Sequence, residues 1–528
     1  MVSAKRRLRA VLGGQLGESQ LPSRDAARAA CVSTQWRDLI LHDEHLWKRF
    51  VADDLGLSEK RGADGTNKLT YRHAYASWRL SYGAEYWPYL PRAIRAWERI
   101  KGWLAANYPA VHATIQGGAS EADLAEAEAA LGFRLPPAVK VLYRLHNGQA
   151  LALDTALDRH EAARAAAKAR FDAAKAQVDE LLARQQQQAK AGGADADAAA
   201  AAATAVAAAT AELAAAQQAQ QAVAGPTGPE TEAELGSIFH GLFGGYSVYD
   251  HMVCTRMMPL QRAVQWTRAM ELHRIRPRIN PAGGMFFQPN LLAVACSFRV
   301  YDKLFVADVS TGGMWVVRRG MRGTMLEPAS PGETSAGRRD GLLDWFEEYA
   351  NRLVSGNYQV APLDDELAEG SRAISLFPLR PPGMAEAVTR GVRVRASVAY
   401  VPEQLPGNKH VFAYSIRMAL LEPAQLGAGL GGGPPLLRCQ LLSRHWVIRD
   451  ENGQVVDQVR GDGVIGMYPI LEPGRDEFVY CSCTHQVATR GSMEGEFRFV
   501  EGTSDRPTGP VFDVVCPPFQ LDVPSYVY

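Results

Sequence analysis

Residues 441–474 read LLSRHWVIRDENGQVVDQVRGDGVIGMYPILEPG, and residues 478–499 read FVYCSCTHQVATRGSMEGEFRF. Short runs rich in β-branched and aromatic residues are cut by Glu451-Asn452-Gly453, Glu472-Pro473-Gly474 and Arg490-Gly491. Working backwards, the same grammar begins at Gly391. Val392, Val394, Ala396, Val398 and Tyr400 alternate with Arg393, Arg395, Ser397 and Ala399; Phe412, Tyr414, Ile416 and Met418 alternate with Ala413, Ser415 and Arg417. A period of two with one apolar face marks half-buried antiparallel strands. Regularly spaced short strands with turn residues between them predict a β-sandwich of Ig-like architecture over 391–528.

With 528 residues, the chain is too long for one core, and roughly three domains are expected. Lysine plus arginine (57) equals aspartate plus glutamate (57), so the basic excess that phosphate neutralisation needs is missing and no nucleic-acid partner is expected. Seven scattered cysteines without a CxxC pair argue for reduced thiols, and so for the cytoplasm or nucleus. No run of about 18 apolar residues is read, the Ala tract near 198–209 being too weakly apolar, so no membrane partner is expected. The basic start lacks the apolar core of a secretory signal; an organellar transit peptide stays open as an alternative.

Toward the N-terminus, Leu8, Val11, Leu12 and Leu16 fall on one helical face. Ser23 or Asp25 can cap a second helix with the stripe Ala29, Val32, Trp36 and Leu39, and Asp43 a third carrying Leu46, Trp47, Phe50 and Val51. Such a small helical unit has a marginal core and needs something to dock on. The segment VSTQWRDLILHDEHLWKRF resembles the second half of an F-box, through Val32-Ser33, Trp36-Arg37 and Leu46-Trp47; the Leu-Pro opening usual in that family is absent before Leu8, so its front is read as degenerate. The resemblance implies an F-box-like domain over 1–57 that docks on the adaptor of an SCF-type ubiquitin ligase through Leu12, Val32, Trp36, Leu39, Leu46 and Trp47. The bland alternative is that these side chains fill an internal three-helix core.

Linker helices are expected over 58–92. From Ala93, the stripe Ile94, Trp97, Ile100 and Leu104 predicts an amphipathic helix; Ser120 with Asp123 forms a capping-box variant, and Pro136-Pro137 opens a helix ending at Asn147-Gly148. This order, with GGYSVYD and the closing helix GLLDWFEEYANRL, resembles the SUKH (Smi/Knr-like) superfamily and implies an α+β, protein-binding domain over 93–360. Residues 158–228, built of Ala, Gln, Lys and Asp with no apolar stripe, are read as a solvated, disordered insertion, although Ala and Gln favour helix. A linker is expected over 361–390.

The closing sandwich resembles the ApaG domain, which implies a fibronectin-type sandwich. Inside it, Gly461, Gly463 and Gly466 make a formal GxGxxG, but Tyr468-Pro469 and Glu472-Pro473-Gly474 follow where a dinucleotide site needs a helix. A tight structural loop or an anion-holding backbone nest remain. Cys481, Cys483 and His485 share a strand face without a fourth ligand, so cross-strand packing is expected and no metal. Ser443, Arg444, His445 and Trp446 offer no nucleophile–base arrangement; a buried His445–Trp446 pair serving the core is expected. Neither a catalytic residue nor a cofactor is assigned. The chain therefore reads as a multidomain α+β protein: helical F-box, α+β SUKH-like domain with a low-complexity insertion, and ApaG sandwich. The resemblances together imply an SCF substrate receptor that engages adaptor and cullin and an unknown protein substrate. The alternatives are a phosphate or pyrophosphate sensor acting through the sandwich, and a scaffold with an idle F-box.

Overall fold

Ser33, Asp43 and Thr70 each turn a side-chain oxygen onto backbone N–H groups two or three residues ahead. Those caps start α2 (Thr34–His42), α3 (Glu44–Leu55) and α4 (Tyr71–Ser81), behind α1 (Ser23–Ala30). The computed structural model describes residues 22–190, 196–222, 231–269, 290–298, 302–320, 323–331, 340–363, 368–404, 409–425 and 435–528. The expected first helix, with Leu12, lies outside them. The described residues fall into two units, one within Met1–Gln149 and Gly241–Tyr528 and the other Ala150–His240.

In the first unit, α5 (Leu90–Asn107) buries Ile94, Trp97, Ile100 and Leu104, as its stripe predicts. After the short α6 (Pro109–His112), the Ser120 capping box starts α7 (Glu121–Leu131) and Pro137 opens α8 (Pro137–Leu145). The Asn-Gly beyond α8 also fastens the domain. Asn147 Oδ1 accepts the Leu260 N–H at 2.8 Å, and the fully buried Gln149 Oε1 accepts that of Leu242 at 2.9 Å. Gly148 sits at φ +68°, where a Cβ would meet the Met258 carbonyl oxygen at 2.6 Å, so glycine is required for this close approach.

Two sheets and two helices complete this α+β region. β1 (Gly245–Val248), β2 (His251–Cys254), β8 (Gln359–Pro362) and β9 (Arg372–Ser375) order as β2-β1-β9-β8. β3 (Arg256–Met257), β4 (Leu291–Cys296), β5 (Leu304–Asp308), β6 (Met314–Gly320) and β7 (Gly323–Pro328) form a meander. The helices are α12 (Leu260–Ala269) and α13 (Gly341–Val354). α13 buries Trp345, Phe346 and Tyr349, and Phe346 lies 4.7 Å from Trp97. Arg92 of α5 pairs with Asp340, Asp344 and Glu347, tying that helix to α13.

The sandwich has one sheet of β10 (Met384–Thr389), β11 (Val392–Val401), β12 (His410–Leu420) and β16 (Phe478–Gln486), in chain order. The other orders β14 (Val455–Asp462), β13 (Cys439–Asp450), β17 (Gly491–Gly502) and β18 (Pro507–Gln520), with β15 (Ile470–Leu471) on β13. Every pairing is antiparallel. Trp446 joins the sheets: its ring lies 5.8 Å from Tyr414, 5.2 Å from Phe497 and 6.1 Å from Phe519.

Several expectations are corrected. The expected linker over 361–390 contains β9, which joins β1 in parallel, and β10, which edges the sandwich; these pairings are non-local, so local composition carries no trace of them. The 58–92 stretch contributes Tyr75, Trp78, Tyr82 and Tyr86 to the continuous core. The described parts of the Ala/Gln segment, read as disordered, are helical. In the second unit α9 (Leu153–Lys190) packs on α10 (Ala196–Ala222), followed by α11 (Glu232–Ser237). Ala174, Val178, Ala209 and Ala216 are buried there, because methyl-sized side chains let two backbones approach without an apolar stripe. Alanine's high helix propensity and i,i+4 pairs such as Lys168–Asp172 do the rest. Within α10, Ala199–Gln220 is long and apolar enough by length and composition to cross a membrane, with mean hydropathy 1.5, contrary to the expectation that no such run exists. The hydropathy index credits every alanine, although one methyl contributes little to burial.

Candidate functional site

The stripe Ala29–Val32–Trp36–Leu39 is not one helix. Ser33 Oγ accepts the Trp36 N–H at 3.2 Å and starts a new helix there, so Val32 stands in the turn between α1 and α2. At 77% exposure, Val32 is among the most solvent-exposed apolar side chains described. Trp36 and Leu39, one turn apart on α2, are half-buried and lie outside the hydrophobic core cluster. Ile40, beside them, is buried. Of the three expected docking residues here, Val32 is solvent-exposed, and Trp36 and Leu39 contribute half-buried surface outside that cluster.

Leu46 and Trp47 turn the other way. The Trp47 indole donates to the Ile40 carbonyl at 2.8 Å, meets Phe50 edge-on at 5.5 Å and lies 5.4 Å from Tyr75. Leu46 packs on the same core. These two expected docking residues therefore seat α3 and α4 against the rest of the unit, which leaves Val32, Trp36 and Leu39 among the described residues of the expected six. Tyr75, which the sequence reading passed over, closes this arrangement with its hydroxyl on Asp54 at 2.6 Å.

A buried polar cluster joins the α+β region to the sandwich. Lys303 Nζ donates to the Tyr246 hydroxyl at 3.0 Å and to the Tyr528 carbonyl at 2.5 Å, and lies 3.6 Å from Glu403 Oε2. Glu403 Oε1 accepts the Tyr246 hydroxyl at 2.5 Å and faces His251 Nε2 at 2.8 Å. Burial raises the Glu403 carboxyl, but Lys303, His251 and Tyr246 outweigh it and hold the group below the ordinary carboxylate value. Burial also draws the Lys303 ammonium down, opposed by Glu403. This interior ion pair holds two domains in register; Glu403 Oε1 is hydrogen-bonded, whereas its buried Oε2 meets Lys303 only as an ion pair at 3.6 Å.

In the glycine loop, Gly463 (φ +56°) and Gly466 (φ +81°) take the left-handed conformation that the tight-loop reading expects. The Gly463 N–H donates to the Leu442 carbonyl at 2.8 Å and the Val464 N–H to that of Met467 at 2.9 Å. Arg444 also spends its guanidinium on the loop, donating to the Gly463 carbonyl at 2.8 Å. Gly461 pairs with Arg444 across the ladder from β14 to β13. The Gly463, Val464 and Met467 amides are therefore spent on main-chain carbonyls and not offered to an anion.

Cys481, Cys483 and His485 share the less buried face of β16, alternating with buried Tyr480, Ser482 and Thr484. No group of three or more His, Cys, Asp or Glu able to hold a metal occurs among the described residues. The expected buried His445–Trp446 pair is corrected: neighbours on a strand face opposite ways. Trp446 enters the core, whereas His445 faces outward, 3.3 Å from Glu496 and 3.4 Å from Gln458.

Three stretches match known families: residues 19–53 the F-box-like family, residues 118–187 the SMI1/KNR4 family (SUKH-1), and residues 402–501 the ApaG domain. F-box protein SKIP16 of Arabidopsis thaliana is 29% identical over 97% of this chain and 97% of that protein. Protein ApaG of Anaeromyxobacter dehalogenans (strain 2CP-C) is 38% identical over 27% of this chain and 98% of that protein. F-box only protein 3 of Homo sapiens is 30% identical over 34% of this chain and 35% of that protein.

Proposed function

This chain belongs to the ApaG family and carries F-box-like and SUKH-1 domains ahead of its ApaG sandwich, and on that premise we propose that it is the substrate-recognition subunit of an SCF-type ubiquitin ligase. The observation that carries this reading is the division of labour in the N-terminal helices. Val32 is exposed and Trp36 and Leu39 are half-buried outside the hydrophobic core cluster, while Trp47 and Leu46 pack on that core. An apolar helical face held rigidly by an internal one is what docking into a partner's hydrophobic groove requires.

In this reading the ligase adaptor takes the outer face of α1 and α2, the cullin follows through the adaptor, and the α+β region and sandwich hold the target protein. The subunit performs no chemistry of its own; it raises the effective concentration of the target near a ubiquitin-charged enzyme. Its seven scattered cysteines, without a CxxC pair, suit a reducing compartment, the cytoplasm or nucleus. Affinity capture of the full chain from its own cells with the proteasome inhibited tests the reading. Adaptor, cullin and a stabilised client are expected to co-elute; capture without adaptor and cullin contradicts it.

A further inference from the structure

Where α13, the turn after it, β11 and the closing segment of the chain meet, they leave a cavity of about 420 Å³. That is within the roughly 300–1,000 Å³ of ligand pockets. Its lining is rich in rings: Tyr358, Tyr526 and Tyr528, with Pro378, Pro382 and Pro524, whose backbone φ is fixed.

The polar lining is unevenly spent. Glu348 accepts from Arg352 Nε at 2.8 Å, and Asp522 accepts the Gly491 N–H at 3.4 Å, so both acids of the lining are engaged. The donors are not. Arg352 gives Nη1 to the Tyr358 hydroxyl at 3.3 Å and stacks over the Tyr528 ring at 5.1 Å, but its Nη2 has no partner among the described residues. The exposed Arg380 guanidinium and the Asn357 side-chain amide have none either among those residues. A ring-lined slot that holds the unpaired Arg380 guanidinium and the unspent Nη2 of Arg352 favours an anion attached to flat, apolar groups, with the acids of the lining each already drawn to a donor.

We propose that this cavity binds an extended peptide segment in which an anionic group, a Glu or Asp carboxylate or a phosphorylated Ser, lies beside an aromatic or proline ring. Arg352 and Arg380 take the anion, and the tyrosines stack the neighbouring ring. Calling that peptide a ligase substrate rests on the receptor reading; its binding does not, and is measured without adaptor.

The test uses the purified full chain and three pools of immobilised hexapeptides with randomised flanks, centred on Glu, phosphoserine or Gln. Retention by the Glu or phosphoserine pool is expected to exceed the Gln pool by about tenfold or more, with Tyr, Phe and Pro enriched in the flanks. Preference between the first two pools identifies the anion. Arg380→Glu, an exposed charge reversal, and Val398→Phe, which fills the cavity from half-buried β11, are each expected to abolish that excess at unchanged Tm. Equal retention of all three pools, or an excess that survives both substitutions, overturns the proposal.

Discussion

The indole Nε1 of Trp47 donates to the main-chain carbonyl of Ile40 at 2.8 Å, locking α3 onto the end of α2. That bond fixes how the outer face of the helix pair is presented, from a residue that is itself turned inward. Trp47→Phe is expected to keep the ring contacts and lose about 1 kcal/mol, whereas Trp47→Ala is expected to cost about 3 kcal/mol. Urea unfolding of the two variants separates the hydrogen bond from the packing.

The Lys303–Glu403 pair makes a sharper prediction. Lys303→Met leaves a buried carboxylate without its cation and is expected to destabilise the chain by about 3–5 kcal/mol. Adding Glu403→Gln to it is expected to recover a large part of that loss. A double variant as unstable as the single one, by chemical denaturation, would show that Lys303 acts through its bonds to Tyr246 and Tyr528 instead.

His146 predicts a pH dependence. Burial against Trp97, 4.8 Å away, pushes its imidazole down to about 4, so it is neutral in the folded chain while the unfolded chain protonates it near 6.5. Between those values the unfolded state binds more protons. Stability is therefore full above about pH 6.5 and falls as the pH drops toward 4, by on the order of 3 kcal/mol from this group. Tm measured across that window is expected to fall less steeply in His146→Gln than in the unsubstituted chain.

Gly463→Ala tests the glycine loop. At φ +56°, with the Met467 carbonyl oxygen 2.5 Å from a built Cβ, the substitution is expected to cost about 1–3 kcal/mol. Because neighbouring amides bond within the loop, the loss is expected to be the same with and without pyrophosphate in a thermal melt. A pyrophosphate-dependent difference would revive the anion-binding alternative.

What could be read from the sequence followed how local its cause was. Ile94, Trp97, Ile100 and Leu104 and the Ser120 cap are short-range patterns that stand in the structure as written; the alternation from Val392 holds to Ala396 and then breaks, with Ser397 and Ala399 buried and Val398 half-buried. The four-residue stripe places Val32 on a helix, but the Ser33 side chain caps the next helix and leaves Val32 in the turn. Adjacency pairs His445 with Trp446 in the sequence, and strand geometry sends them to opposite faces. Arg92 with Asp340, Lys303 with Glu403, and β9 beside β1 join residues a hundred or more positions apart. Nothing at either end of such a pair announces the other. The cavity lined by Arg352 and Arg380 is invisible to sequence for the same reason.

The central claim is that Val32, Trp36 and Leu39 form a docking face for a ligase adaptor. Calorimetric titration of purified adaptor into the full chain and into its Val32→Asp variant tests it most directly. Val32 is 77% exposed, so the substitution is expected to leave Tm unchanged. The account predicts saturable binding that weakens by about tenfold or more in the variant. Equal affinity for both chains, or no heat of binding with either, would contradict it.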